Sequence, residues 1–174
     1  MIFLSPFSSK LTLQGPLVKD KVSYIISGRT TNSDWILKRI PDIDIRNSRA
    51  RFNDLNLKLN FVLNQNNRIS VFGYISNDYF NLAERNIFEY SNRLGSIKWN
   101  HIVNNKLNFS LSASITDYST VTIDKEKPEL ATSVSSGIRQ TSSKFRLMYK
   151  PGEKHNLETG VEASYFDFSP GKQI

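Results

Sequence analysis

The sequence predicts an all-β protein: an antiparallel up-and-down transmembrane β-barrel of about eight strands, forming part of a larger barrel. Three observations support this prediction. Apolar and polar residues alternate along most of the chain, several of the alternating segments reach about ten residues, and short connections alternate with long ones. Strands of globular proteins usually have about five or six residues, whereas strands that cross an outer membrane have about ten.

The clearest alternation lies in LNLKLNFVLNQNNRISVFGYIS, residues 55–76. Successive side chains of a strand point to opposite faces, so this pattern predicts a hairpin with one apolar and one polar face. The turn falls at residues 65–67, where three polar residues interrupt the alternation. The apolar face would carry Leu55, Leu57, Leu59, Phe61, Leu63, Ile69, Val71 and Ile75, opposite Asn56, Lys58, Asn60, Asn64, Arg68, Ser70 and Ser76.

Six other segments show the same period of two residues, which brings the predicted strands to eight. Residues 106–119 are the most regular of them, with apolar residues at odd positions from Leu107 to Ile115 and polar residues at the even positions. The other five segments are residues 10–14, 22–30, 93–102, 137–150 and 155–168.

The connections between these segments differ in length. Bacterial outer-membrane barrels have short periplasmic turns at one end and longer extracellular loops at the other, whereas a soluble sandwich has no reason to sort its loops in this way. The pattern therefore favours the membrane barrel. The short connections are residues 18–21, 64–67, 103–105 and 151–154, and the long ones are residues 31–54, 78–92 and 119–136.

Composition narrows the functional classes. The chain has no cysteine, which excludes disulfides, thiol catalysis and thiolate metal sites. No run of about 18 apolar residues occurs, so no membrane-spanning helix is predicted. The formal net charge is +7, but the basic residues are scattered, and we expect no nucleic-acid partner. A secretory signal is not recognisable at the N-terminus, so the membrane interpretation implies a longer precursor.

No enzyme site is predicted, and we expect neither a cofactor nor a metal ion. His101 and His155 are far apart, and neither has a carboxylate or a second histidine at a ligand spacing. Asp42 and Asp44 would share one side of an extended segment, which we interpret as a solvated loop. The serines of residues 106–119 lack a G-x-S-x-G elbow, and the chain has no P-loop and no G-x-G-x-x-G motif.

The polar face predicts a solvated interior. If the apolar face meets lipid, the basic side chains of the polar face point into the lumen, where we interpret them as keeping the interior hydrated. Ligand contacts are expected mainly from the long loops, such as residues 79–90, although no individual ligand-binding residue is predicted. The basic side chains concerned are Lys58, Arg68, Lys98, Lys144 and Arg146.

Aromatic residues are predicted near the loop ends of the strands, where an outer-membrane barrel carries an interfacial girdle. Single aromatic residues are also common in ordinary strands, so the set matters more than any one member. The set comprises Trp35, Tyr79, Phe80, Tyr90, Tyr118, Tyr165, Phe166 and Phe168.

Three stretches together resemble the barrel of TonB-dependent receptors of the Bacteroidetes type. The first has a strand, Gly-Pro, a Lys-Asp-Lys turn and a strand ending in Ser-Gly-Arg, and the second is the hairpin described above. The third is a strand pair ending in Phe-Ser-Pro-Gly before a long outer loop. The stretches are SPFSSKLTLQGPLVKDKVSYIISGRTTNSDWIL, FNDLNLKLNFVLNQNNRISVFGYISNDYF and SSGIRQTSSKFRLMYKPGEKHNLETGVEASYFDFSPG, in the order that they take in the family.

The resemblance implies a 22-stranded barrel with a plug domain in its lumen. Such a receptor imports a siderophore, cobalamin or glycan with energy from the TonB system. Residues 1–174 would supply about eight of these strands, since no stretch resembles the plug, a TonB box or the closing strand. We therefore expect a partial barrel in the outer membrane of a Gram-negative cell that is not transport-competent alone. Its partners would be outer-membrane lipid and, in the full-length parent, the plug, the TonB system and a nutrient ligand.

Two alternatives remain open at the level of the sequence. A self-contained eight-stranded outer-membrane barrel would have an adhesion or structural role, and eight strands close with an interior filled by side chains. A soluble β-sandwich would be a binding domain, but the sorting of the connections by length disfavours it.

Overall fold

The computed structural model describes residues 2–31, 33–125, 132–152 and 154–173, which form one antiparallel sheet. The prediction of an all-β, up-and-down fold is confirmed, because each strand pairs only with its neighbours in the chain. The strands are β1 (Ile2–Leu4), β2 (Ser8–Val18), β3 (Val22–Thr31), β4 (Arg49–Val62), β5 (Asn67–Leu82), β6 (Asn86–Asn104), β7 (Leu107–Asp124), β8 (Thr132–Gly152) and β9 (His155–Gln173), with the single-turn helices α1 (Asp34–Leu37) and α2 (Ile43–Arg46) between β3 and β4.

Strands β2 to β9 correspond to the eight predicted strands, and β1 is an additional short strand paired with β2. Most strands are longer than predicted, and β8 reaches 21 residues. A β-sandwich requires two packed sheets, whereas the described ranges form a single sheet. The soluble-sandwich alternative is therefore not the observed architecture.

The four short connections predicted from the sequence lie together at one end of the sheet, here called the turn end. They join β2 to β3, β4 to β5, β6 to β7 and β8 to β9. The opposite end, called the loop end, carries the connections from β3 to β4, β5 to β6 and β7 to β8. An up-and-down sheet places alternate connections at opposite ends, so this separation follows from the strand order.

The prediction of a long connection at residues 78–92 is wrong. Cross-strand pairing between β5 and β6 continues through Asp78 opposite Tyr90 and ends with Leu82 opposite Asn86. The hairpin closes with a tight turn in which the Arg85 N–H donates to the Leu82 carbonyl at 2.9 Å. The strands therefore extend several residues beyond the point where the sequence predicted a loop.

The other two long connections are also shorter than predicted. The connection from β3 to β4 ends at Arg49, and β7 continues to Asp124 before β8 begins at Thr132. The intervening residues 126–131 lie outside the described residues. The strand pair predicted to end in Phe-Ser-Pro-Gly before an outer loop also continues further, because β9 extends to Gln173.

The segment containing Asp42 and Asp44 is helical, which corrects the prediction of an extended segment. The Asp42 carboxylate caps α2 by accepting the N–H groups of Asp44 and Ile45 at 2.9 and 3.1 Å. The buried Ser48 hydroxyl then donates to the Asp44 carbonyl at 2.6 Å and accepts the N–H of Ala83 at 3.0 Å. These contacts fix α2 beside the turn between β5 and β6.

The sheet is a single layer without a packed core. Among the described residues, Ile87 is the one buried apolar side chain. β1 and β9 are the outer strands, each hydrogen-bonded to one neighbour, so the sheet is not closed into a barrel. Neither helix in the described ranges has the length and apolar character that crossing a membrane requires.

Candidate functional site

One face of the sheet is apolar over β2 to β9 and is here called the apolar face. Cross-strand partners share a face, and the observed register aligns apolar residues of neighbouring strands in rows. The row through Leu13, Ile26, Leu57 and Ile115, for example, crosses the sheet through direct partners. The residues of the whole apolar face are Leu11, Leu13, Val22, Tyr24, Ile26, Leu55, Leu57, Leu59, Phe61, Ile69, Val71, Ile75, Ile97, Trp99, Leu107, Phe109, Leu111, Ala113, Ile115, Phe145, Leu147, Tyr149, Leu157, Val161, Ala163 and Tyr165.

Nothing in the described chain covers the apolar face. Leu111 and Ile115 lie on β7, which has neighbours on both sides, yet they are 46% and 49% exposed. Soluble monomers rarely leave so large a contiguous apolar surface in water. The apolar face is therefore the main feature that a function must explain.

A charged row bounds the apolar face on the side of the loop end. Arg93, Asp117, Arg139 and Asp167 are successive cross-strand partners on β6 to β9. The Arg139 Nε and Nη2 donate to Asp117 Oδ2 at 2.9 and 2.7 Å. Between this row and the loop end the same face is mainly polar, with Ile87, Val121 and Ile123 as exceptions, so its apolar part forms a band whose limit on β6 to β9 is the charged row.

An aromatic cluster lies at the turn end of the apolar face and was not predicted as a group. The Phe109 ring contacts Trp99 edge-on, with centroids 5.3 Å apart, and also contacts His101 and Phe145 at 5.0 and 5.9 Å. The Asn67 side-chain oxygen accepts the Trp99 indole N–H at 3.0 Å. The alternation gave the face of each residue, but the contacts depend on the register of β6, β7 and β8.

The predicted girdle residues of the loop end do not share one face. Tyr79 lies on the side of the apolar face, above the charged row, and Tyr165 lies within the apolar band itself. Trp35 lies in α1, where the Arg39 guanidinium stacks 5.0 Å from its ring. The remaining members lie on the opposite face, and they are Phe80, Tyr90, Tyr118, Phe166 and Phe168.

The opposite face is here called the polar face, and it carries all five basic residues that the sequence placed there. Lys144 pairs with Glu162 at 2.9 Å and Arg146 pairs with Glu158 at 3.0 Å, which links β8 to β9. The other three have no ion-pair partner within 4.0 Å in the described chain, and they are Lys58, Arg68 and Lys98.

Serine side chains continue the polar face across β6 to β9. Ser96, Ser114, Ser142 and Ser164 are successive cross-strand partners. The Ser114 and Ser142 hydroxyls lie 2.8 Å apart, within hydrogen-bonding distance. This row forms a hydroxyl-rich surface, and within the described ranges none of its four serines hydrogen-bonds to a histidine.

Neither histidine has metal-binding surroundings in the described residues. The His101 Nδ1 lies 2.7 Å from the Asn67 side-chain oxygen, and His155 begins β9 as the partner of Gly152. No group of three His, Cys, Asp or Glu side chains is placed to hold a metal ion within the described ranges.

A cluster of charged groups lies on the polar face near the loop end. The Arg29 Nε donates to Asp54 Oδ2 at 2.6 Å, and Asp78 lies nearby, beyond the apolar band. Partial burial raises the pKa of Asp78, the Asp54 carboxylate raises it further, and Arg29 lowers it. This cluster belongs to the upper part of the sheet, where polar groups occupy both faces.

Comparison with known proteins yields no relative: no family model, curated protein or solved structure matches the chain. The two faces and their chemistry are therefore the basis for assigning a function.

Proposed function

We propose that the chain forms part of the wall of an outer-membrane β-barrel, with the apolar face against lipid and the polar face toward a water-filled lumen. The observation that carries the proposal is the uncovered apolar band, which runs over eight strands and ends, on β6 to β9, at a charged row. Such a band is stable in contact with lipid, because exposing its apolar side chains to water is energetically unfavourable.

The height of the band supports this proposal. From Leu107 to Asp117, β7 advances by about 34 Å, and a strand tilted by about 45° would then cover about 24 Å of membrane thickness. The apolar band of outer-membrane barrels is about 25 Å tall. The charged row would thus lie at the outer interface and the Trp99–Phe109–Phe145 cluster near the inner one, where aromatic girdles occur.

On the resemblance described above, we propose further that the parent is a TonB-dependent receptor that imports a siderophore, cobalamin or glycan-type nutrient. Lys58, Arg68 and Lys98 of the polar face, which have no ion-pair partner among the described residues, are available to contact a plug domain or an anionic ligand. A single open sheet encloses no lumen, so transport would require the complete barrel.

The orientation of the two faces is tested with single tryptophans on adjacent residues of β7. The chain has two tryptophans, and Trp35→Phe with Trp99→Phe removes both. Leu111→Trp then points to the apolar face and Ser112→Trp to the polar face. Each variant is refolded into phosphatidylcholine vesicles with and without brominated acyl chains. We expect brominated lipid to quench the fluorescence of Leu111→Trp much more than that of Ser112→Trp.

Acrylamide, a water-soluble quencher, provides the control and should show the opposite preference. Equal quenching at both positions, or a chain that does not float with the vesicles, would contradict the proposed membrane orientation. The two positions are adjacent on β7, so their depth along the strand is matched.

A further inference from the structure

A groove of about 600 Å³ interrupts the apolar face close to its upper limit. It lies where Gly73 of β5 and Gly95 of β6 are direct cross-strand partners, so that two neighbouring positions lack side chains. A Cβ atom at Gly73 would meet no atom within 4 Å. The apolar side chains that line the groove from this face are Leu55, Leu57, Ile75 and Ile115.

Two arginines border the groove on the side of the loop end. Arg93 and Arg139 lie on either side of Asp117, and all three line the groove. Arg139 pairs with Asp117, whereas the Arg93 guanidinium has no carboxylate within 4.0 Å in the part of the chain that the structure describes. The groove thus joins an apolar floor to a net positive rim.

A second concavity of about 390 Å³ lies between Arg93 and the loop end of the sheet, on β4 to β7. Apart from Val121, the residues that line it carry amide, hydroxyl or charged groups. Amide and hydroxyl groups are donors and acceptors suited to the hydroxyls of a sugar, and a tyrosine offers a ring face as well. The polar residues that line this concavity include Asn53, Asn77, Tyr79, Glu89, Ser91 and Ser119.

We propose that these two concavities together bind a phosphorylated glycolipid of the outer leaflet. One acyl chain lies over Gly73 and Gly95, the phosphate contacts Arg93 and Arg139, and the sugar occupies the polar concavity. The inference rests on the proposed function, because an acyl chain reaches the groove only if the apolar face meets lipid.

The arrangement of the arginines favours phosphate over carboxylate. β6 and β8 are separated by two strand spacings, about 9.6 Å, so the two guanidinium groups approach a headgroup from different sides. A phosphate offers three oxygens that two guanidinium groups can share, whereas a carboxylate offers one bidentate edge. Asp117 between the arginines also disfavours a small anion that would lie directly over it.

The test measures lipid adducts of the refolded chain by native mass spectrometry from detergent micelles. The probes are lipid A, a phosphorylated acylated disaccharide, and phosphatidylglycerol and phosphatidylcholine as lipids without a sugar phosphate. We expect lipid A to be retained roughly tenfold better than either phospholipid. Arg93→Gln with Arg139→Gln should remove this preference, and Gly73→Leu should reduce it by filling the groove.

Two controls match these variants. Lys19→Gln with Lys21→Gln removes the same charge at the turn end, and Ala113→Leu adds bulk to the apolar face outside the groove lining. Both should retain lipid A as the unmodified chain does. Equal retention of the three lipids, or a preference that survives both the arginine and the glycine substitutions, would overturn the lipid site.

The tryptophan experiment separates this inference from the proposed function. If Leu111→Trp is quenched by brominated lipid while the three lipids are retained equally, the membrane orientation stands and the glycolipid site is wrong. If the chain does not insert, both proposals are wrong.

Discussion

The glycines of this sheet differ in what surrounds them, and the difference decides which can be replaced. At Gly160 of β9, a Cβ atom would overlap the carbonyl oxygen of Phe145 and lie 3.3 Å from the Cα of Arg146. At Gly73 of β5, the same atom would meet nothing within 4 Å. The close approach of the β8 and β9 backbones thus requires glycine at position 160, whereas position 73 on β5 has room for a side chain.

We predict opposite effects for alanine at these two positions. Gly160→Ala should lower the free energy of unfolding by about 1–3 kcal/mol, because the β8–β9 pair must shift to admit the methyl group. Gly73→Ala should raise it by about 0.5–1 kcal/mol, because glycine is entropically unfavourable in a strand. Urea unfolding in detergent micelles measures both changes. Equal shifts for the two variants would show that the spacing of β8 and β9 does not limit residue 160.

At this scale, the sequence predicted the face of each residue but not its contacts. Lys98 and Lys144 are polar-face residues by alternation alone, and both lie on that face. The salt bridge from Lys144 to Glu162 depends on the register between β8 and β9. No local pattern encodes that register, because the residues are separated by a turn whose geometry sets it.

Among the elements, the β5–β6 turn is the one whose residues fit its geometry least well. Ala83 and Glu84 have φ angles of 51° and 61°, and two successive positive values are typical of a type I′ turn. Asparagine and glycine adopt these values readily, whereas other L-residues pay about 1–2 kcal/mol each. The hairpin therefore holds strain that its neighbours, including the bond from Ala83 to Ser48, must offset.

Replacing this pair by Ala83→Asn with Glu84→Gly should stabilise the protein by about 1–2 kcal/mol, because both residues tolerate the left-handed conformation. The backbone N–H of residue 83 remains available to Ser48, so the contact with α2 is kept. The measurement is the shift in the midpoint temperature of unfolding in detergent, monitored by far-UV circular dichroism.

The opposite pair, Ala83→Val with Glu84→Val, serves as the comparison and should destabilise the hairpin. β-branched residues are strongly disfavoured at positive φ. If both double variants unfold at the same temperature as the unmodified chain, the turn does not limit the stability of β5 and β6.

The same hairpin shows why some elements were missed in the sequence. Residues 78–92 are rich in Asn, Asp, Glu and Arg, which are typical of loops, and their alternation no longer separates apolar from polar residues. Between the charged row and the loop end, polar and apolar residues occur on both faces, so the contrast that identified the rest of the strands is lost. Hydrogen bonding between the two backbones continues there without it.

On the scale of the whole molecule, the sheet has no core and one uncovered apolar face, so its stability depends on the surrounding medium. We predict that the purified chain aggregates in plain buffer and remains monomeric in detergent micelles, because the apolar face and the outer edge of β9 are both sites of association. Analytical ultracentrifugation with and without detergent measures this. A cooperatively folded monomer in plain buffer would contradict the membrane proposal.

A gel run with and without boiling distinguishes the larger receptor from a self-contained small barrel. For an open wall, we expect no fast-migrating, heat-sensitive band. Such a band, together with strand-type circular dichroism, would mean that the strands close by themselves, as the alternative of a small barrel with an adhesion or structural role requires.

The strand order has a further consequence for how such a protein changes in evolution. Every strand from β2 to β8 pairs with the strands directly before and after it in the chain, without a crossover. Loss of an internal hairpin would therefore narrow the sheet by two strands and require one new pair, between the two strands that flank the deletion, while every other pair kept its partner and its register. A sheet of this order can thus change its width in units of two strands at the cost of a single new strand–strand contact.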